Sequence, residues 1–173
     1  KFINETEAKI AAGKVTGSSE LINQYMGEAY FIRAMLYFYK LKAYGDFPIM
    51  LTELNINNDL VEASKRQPRN LVARQILSDM DKAIERLQVN FANKVRINKY
   101  AALAMKSRMA LYEATFEKYH RGTGRVPGDA NWPGKDKEWN KSFTINQEEE
   151  VNYFLDQAID AAKKVCDAVP LST

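Results

Sequence analysis

Trp132 and Trp139 are the only tryptophans in this chain of 173 residues, and both fall in one stretch, 121–143. That stretch also holds Gly122, Gly124, Pro127, Gly128, Pro133 and Gly134, a loop composition. A flat indole buries the C–H face of a sugar ring while polar neighbours such as Asn131 bond its hydroxyls. Trp132, Trp139 and Asn131 are therefore the candidate ligand-binding residues. The same indoles would also serve to pin a long loop to the helices or to meet a protein partner. A second aromatic set, Tyr30, Phe31, Tyr37, Phe38, Tyr39 and Tyr44, recurs at helical spacing, which favours a packed core over a sugar platform.

Other chemistries find little support. Asp129, Asn131 and Gly134 match the start of a calcium loop, D-x-N-x-x-G, but Pro133 stands at the fifth position and Asn140 at the twelfth. Oxygen ligands are needed at both, so no metal site is expected. His120, the only histidine, stands at a helix end, where it is a favourable dipole partner rather than a base. Cys166 is the only cysteine, so no internal disulfide forms, and it is expected on an apolar helix face. Glu148, Glu149 and Glu150 open a helix, where negative charge is stabilised. They do not mark the carboxylate pair that a glycosidase holds across a cleft. The sequence thus predicts no catalytic residues, no cofactor and no enzyme.

Composition narrows the partners. Hydrophobic residues at 46% and charged residues at 27% are the balance of a folded domain. Lys and Arg outnumber Asp and Glu only as 25 to 22, so nucleic acid is not expected as a partner. The apolar run from Ala29 to Tyr39 contains Arg33 and is far shorter than the roughly 20 residues a membrane span needs. The chain starts at Lys1, and Pro170 to Thr173 directly follow a helical pattern, so a piece of a longer protein is expected.

The positioning elements read as five helices, at about 2–12, 20–44, 70–87, 98–119 and 147–168. Ser18 or Ser19 caps the second, and Gly45 and Pro48 end it. The third carries one stripe, Val72, Ile76, Met80, Ala83 and Leu87. The fourth, capped by Asn98, is apolar on two sides: Tyr100, Leu103, Ser107, Ala110 and Ala114, then Met105, Met109, Tyr112 and Phe116. The fifth starts with a capping-box spacing, Asn146 to Glu149. Its buried stripe is Val151, Phe154, Leu155, Ala158, Ala162, Val165 and Val169, and Pro170 ends it. Pro48 to Leu51 and Phe143 to Ile145 are short extended pieces. Short links after the first and third helices predict antiparallel hairpins one–two and three–four, with the fifth awaiting a partner. The expected fold is all-α, antiparallel helix pairs stacked as a tetratricopeptide-like array in one domain with two long inserted loops, 45–69 and 120–145. Small residues at Ala34, Ala101, Ala102, Ala104, Ala158, Ala161 and Ala162 suit close helix approach.

The second helix reads Gly27-Glu28-Ala29-Tyr30-Phe31-Ile32-Arg33-Ala34-Met35-Leu36-Tyr37-Phe38-Tyr39 and leads into Tyr44-Gly45-Asp46-Phe47-Pro48-Ile49. This resembles the SusD/RagB family of outer-membrane nutrient-binding lipoproteins of Bacteroidetes, whose helix runs GEA-x-F-x-RA-x-x-YF into YGD-x-P. Ser78 to Ile84, Arg96 to Leu111 and Asp156 to Asp167 resemble three later helices of that family, in order, and Asn4 sits where the family has its first helix. The family-motif residues here are Glu28, Arg33, Tyr37, Tyr44, Gly45, Asp46 and Pro48. Glu28 and Arg33 are expected to satisfy helix-end and loop backbone groups.

The resemblance implies a non-catalytic lipoprotein tethered on the extracellular face of the outer membrane by a lipid anchor outside this chain. Such a protein captures oligosaccharides and docks as a lid on a SusC-like TonB-dependent barrel. Two alternatives remain: a helix-repeat adaptor that binds only protein, and the same lid role in peptide import.

Overall fold

The computed structural model describes residues 1–54, 59–90 and 95–169. Among these the fold is all-α: α1 (Phe2–Ala11), α2 (Ser19–Tyr44), α3 (Asp59–Ala63), α4 (Arg69–Arg86), α5 (Lys99–His120) and α6 (Gln147–Ala168), with a 3-10 turn at Glu138–Asn140. The five expected helices are present. α3 and the 3-10 turn were not expected, because each is too short to show a hydrophobic period. The two extended pieces do not form strands. Among the described residues the chain makes one isolated antiparallel bridge, Phe47 to Gln67, just before the first of those pieces, with N–O distances of 3.2 and 3.1 Å.

The helix ends follow local chemistry. Asn98 accepts from the Ala101 N–H, and Asn146 accepts from the N–H groups of Glu148 and Glu149. Ser18 occupies the cap position of α2, but its side chain makes no cap bond. Gly45 closes α2 with φ +67°, a backbone angle that favours glycine. The Pro170 stop expected after α6 lies outside the described residues.

Long-range pairs set the directions. Gln24 bonds Gln88 N, Arg33 pairs with Asp79, and the turn after α2 meets Arg69, so α2 and α4 run antiparallel. Arg69 pairs with Glu113 and Lys106 with Asp81, so α4 and α5 do too. The most extensive packing is α5 on α6 and α2 on α4, then α4 on α5. α1 touches α2 only lightly. This corrects the expected grouping: the short-linked helices one and two do not form a tight pair, and the fifth helix, expected to await a partner, packs on the fourth. α1 buries only Ile3, so it has little apolar face with which to pair.

One core fills the stack. Phe38, Leu41, Val72, Ile76, Leu77, Met80, Met109 and Phe154 pack around Ala34, Ala73, Ala110 and Ala158. The stripe expected on the third helix is buried throughout. Gly27 lets α2 approach α4: a Cβ there would stand 2.8 Å from Leu87 Cγ and 3.2 Å from the Ala83 carbonyl oxygen. A smaller cluster of Ile3, Met26, Tyr30, Ala83, Leu87 and Ala102 caps one end.

Several placements differ from the sequence reading. Tyr30 and Phe38 are core residues, but Tyr39 and Tyr44 are each 54% exposed. On α6 Ala161 is buried where Ala162 was expected, and Val169 and Cys166 are exposed. Glu28 and Arg33 do not serve backbone groups. Glu28 pairs with Arg96, and Arg33 grips Asp79 through two bonds of 2.7 and 2.6 Å. Each pair fastens α2 to a distant part of the chain. Tyr37 ties α2 to the chain beyond the turn, its hydroxyl donating to Met50 O at 3.1 Å and accepting from Met50 N at 2.7 Å.

Candidate functional site

Three segments far apart in sequence converge at one end of the stack: the turn Tyr44–Pro48 after α2, the start of α4, and the tryptophan loop. Asp46 joins them. Its carboxylate accepts the backbone N–H of Arg69 at 2.9 Å, capping α4 from a distance, and the indole N–H of Trp132 at 2.8 Å. Burial pushes the Asp46 carboxyl above the usual carboxylate range, against the opposing pull of those two donors and the nearby guanidinium of Arg69.

Arg69 is itself buried, 3% exposed, and forks onto Glu113 with two bonds of 2.7 Å. Its guanidinium lies 3.4 Å from the centre of the Phe116 ring. Beyond Phe116, His120 stacks at 4.1 Å and donates from Nδ1 to the Phe116 carbonyl at 3.0 Å, which ties it into the last turn of α5.

The loop after α5 folds on itself around Asp129. Its carboxylate accepts the backbone N–H groups of Gly122, Gly124 and Val126 and a side-chain N–H of Gln147. Burial alone would push this carboxyl up, but those four donors outweigh it and hold it below the usual range. Asp129 is thus the closing clasp of the loop. Gly134 lies against the Trp132 ring so closely that a Cβ would stand 2.1 Å from the indole. Asn140 secures the same turn by donating to the Gly134 carbonyl at 2.9 Å.

These segments enclose an open cleft of about 740 Å³, within the range of small-ligand sites. Tyr44, Gly45 and Asp46 line one side, Arg66 and Arg69 another, and Arg125, Trp132, Pro133, Gly134, Lys137 and Trp139 the loop side. Trp139 stands at the rim, 39% exposed, its indole N–H donating to the Arg66 carbonyl at 3.0 Å. Tyr44 stacks on Phe47 at 5.8 Å.

The candidate residues therefore part company. Trp132 belongs to the cleft wall, but at 3% exposure, covered by Gly134 and Phe143, it offers no open face for a sugar. It is the pin that holds the loop to the helices. Asn131 is exposed, packs against Gly124 and does not line the cleft. Trp139 alone keeps the geometry of a stacking residue. Among the motif residues, Tyr44, Gly45 and Asp46 lie at the cleft, whereas Glu28, Arg33 and Tyr37 act within the stack. Sequence reasoning missed Lys42, Arg66, Arg125 and Lys137, four cations lining the cleft. Arg66, Arg125 and Lys137 stand in loops, where isolated charges carry no periodic signal, and Lys42 is one exposed charge near the end of α2.

A second groove, about 610 Å³, runs along the outer side of α2 between Phe2, Tyr25, Ile32, Leu36 and Met50. Ile32 and Leu36 are 53% and 57% exposed, so α2 carries an apolar stripe that no described residue covers.

Comparison with known proteins agrees with this architecture. Residues 7–111 match the SusD-like family model described as starch-binding and associating with the outer membrane. A SusD-like protein of Formosa agariphila is 29% identical over 111 residues, which are 64% of this chain and 22% of that protein. A crystal structure of a SusD-like protein from Bacteroides fragilis superposes with a TM-score of 0.55 at 29% identity, covering 66% of this chain and 23% of the other. The chain thus spans less than a quarter of the length of these relatives. The family match takes in α2, the Tyr44–Pro48 turn and α4 and reaches into α5, and on that ground the chain belongs to the SusD-like, or SusD/RagB, family.

Proposed function

We propose that this chain is the helical part of a longer, non-catalytic glycan-binding lipoprotein on the extracellular face of the outer membrane. It captures oligosaccharides and docks as a lid on a SusC-like TonB-dependent barrel. The observation that carries the reading is the cleft at the Tyr44–Pro48 turn, with Trp139 at its rim. An exposed indole beside polar side chains suits a sugar ring, which presents an apolar face and a hydroxyl edge. Asp46 is the one carboxylate in the lining, and its donors are the Arg69 N–H and the Trp132 indole. That suits binding and release, since glycoside hydrolysis uses two carboxylates flanking the bond. The apolar stripe of α2 is the surface assigned to the barrel.

The test is purification of the full-length protein from its own outer membrane, with mass spectrometry of what accompanies it. Co-purification of a large TonB-dependent barrel supports the lid role. Soluble proteins in place of a barrel would replace it with a protein-binding adaptor. Release of bound peptides rather than oligosaccharides would reassign the cargo.

A further inference from the structure

The charges of the cleft are unevenly spent. Arg69, at its floor, is neutralised by Glu113, and Asp46 holds the Trp132 indole and the start of α4. Four more cations line the opening, Lys42, Arg66, Arg125 and Lys137, all on exposed residues. Among the described residues none of the four has a carboxylate within salt-bridge distance, although eleven such bridges form elsewhere. The net charge of the chain is only +3, so this clustering is local and not a reflection of a basic protein. A concave site lined by one sign of charge focuses its field and concentrates ligands of the other sign. Guanidinium groups pair with planar carboxylate and with tetrahedral acid oxygens through forked bonds.

We propose that the cleft takes an acidic saccharide, one carrying carboxylate or sulfate groups. Trp139 stacks on a sugar ring at the rim, and Arg66, Arg125 and Lys137 engage the acid groups. The proposal rests on the glycan-capture reading above and names its substrate class. A neutral glycan would leave Arg66, Arg125 and Lys137 facing solvent, whereas an acidic one pairs with them.

The experiment is calorimetric titration of the full-length protein with three probes: maltoheptaose, sulfated maltoheptaose and oligogalacturonate. The expected result is binding of at least one acidic probe about tenfold or more tighter than maltoheptaose, weakening as salt is raised. Arg125→Glu with Lys137→Glu should cut that affinity by about tenfold or more, since it places two like charges against the ligand. Lys9→Glu with Lys14→Glu, which changes the net charge equally on an exposed part of the chain away from the cleft, should leave it unaltered. The sulfated and carboxylated arms separate the two acid groups. Binding of maltoheptaose as tight as that of the acidic probes overturns the acidic assignment while glycan capture stands. An acidic probe whose affinity ignores the Arg125 and Lys137 changes also overturns it. Binding of none of the three overturns the assignment and glycan capture together, and barrel co-purification still reports separately on the lid role.

Discussion

The Asp46 carboxylate accepts the Trp132 indole N–H at 2.8 Å across 86 positions of sequence, and this bond fastens the tryptophan loop to the turn after α2. The same carboxylate caps the first turn of α4 through Arg69 N. One side chain therefore fixes the relative placement of three segments that line the cleft.

Asp46→Ala should accordingly loosen the loop without unfolding the stack. Losing a charged acceptor of two buried donors costs about 1.5–3 kcal/mol. A urea titration should show that loss, and limited proteolysis should find new cuts between 121 and 143. Asp46→Asn, which keeps one acceptor oxygen, should fall between the two. An Ala variant with wild-type stability and an equally resistant loop would sink this account of Asp46.

The two tryptophans should separate when each is changed to alanine. Trp132 is buried, so Trp132→Ala costs about 3–5 kcal/mol in stability through the cavity it leaves. Trp139 is 39% exposed, so Trp139→Ala should change stability by about 1 kcal/mol or less while weakening oligosaccharide binding. Thermal melts alongside titrations on the full-length protein make the comparison. The reverse pattern, with Trp132→Ala stable but deficient in binding, would mean that Trp132 contacts the ligand.

The Arg69–Glu113 pair, 3% and 1% exposed, should be a matter of partnership more than of net stabilisation. Arg69→Met alone leaves Glu113 buried and unpaired beside Glu117, which costs about 3–5 kcal/mol. Arg69→Met combined with Glu113→Leu removes both charges and should be distinctly less damaging than the single change. Equal or additive losses in denaturant titrations would show that the pair itself holds α4 to α5.

How much of this was legible beforehand depends on the kind of signal. The apolar stripe Val72 to Leu87 and the caps at Asn98 and Asn146 are repeated or local patterns, and each appears where the sequence places it. The motif turn Tyr44–Pro48 was legible by resemblance, but not its partners, since nothing near Asp46 in sequence points to Trp132. Both tryptophans look alike as letters in a loop. Only the Gly134 contact and the Asp46 bond make one a pin and leave the other at the rim. On α5 the hydrophobic pattern passes over Lys106, Glu113 and Glu117, which are buried because partners on other elements or a change of protonation tolerate them.

Glu117 is the clearest case of the last kind. It is fully buried, and neither of its oxygens accepts a hydrogen bond. Burial, then the neighbouring carboxylates of Glu113 and Glu150, push its carboxyl up to about 9, with Arg69 pulling weakly the other way. The folded chain therefore holds a proton on Glu117 at neutral pH, whereas the unfolded chain, with a value near 4.5, does not. Between those two values folding takes up a proton, so stability is greatest below about 4.5 as far as this group is concerned and is lost as pH rises toward about 9. One such group changes stability by about 1.4 kcal/mol per pH unit in that window. Glu117→Gln places a neutral side chain of the same shape there and removes the linkage. The variant should match the wild type near pH 4.5 and grow progressively more stable than it from pH 6 to about 9, as read by denaturant midpoints at each pH. Parallel pH profiles for the two proteins would mean that Glu117 is ionised in the fold, with its charge balanced by Arg69.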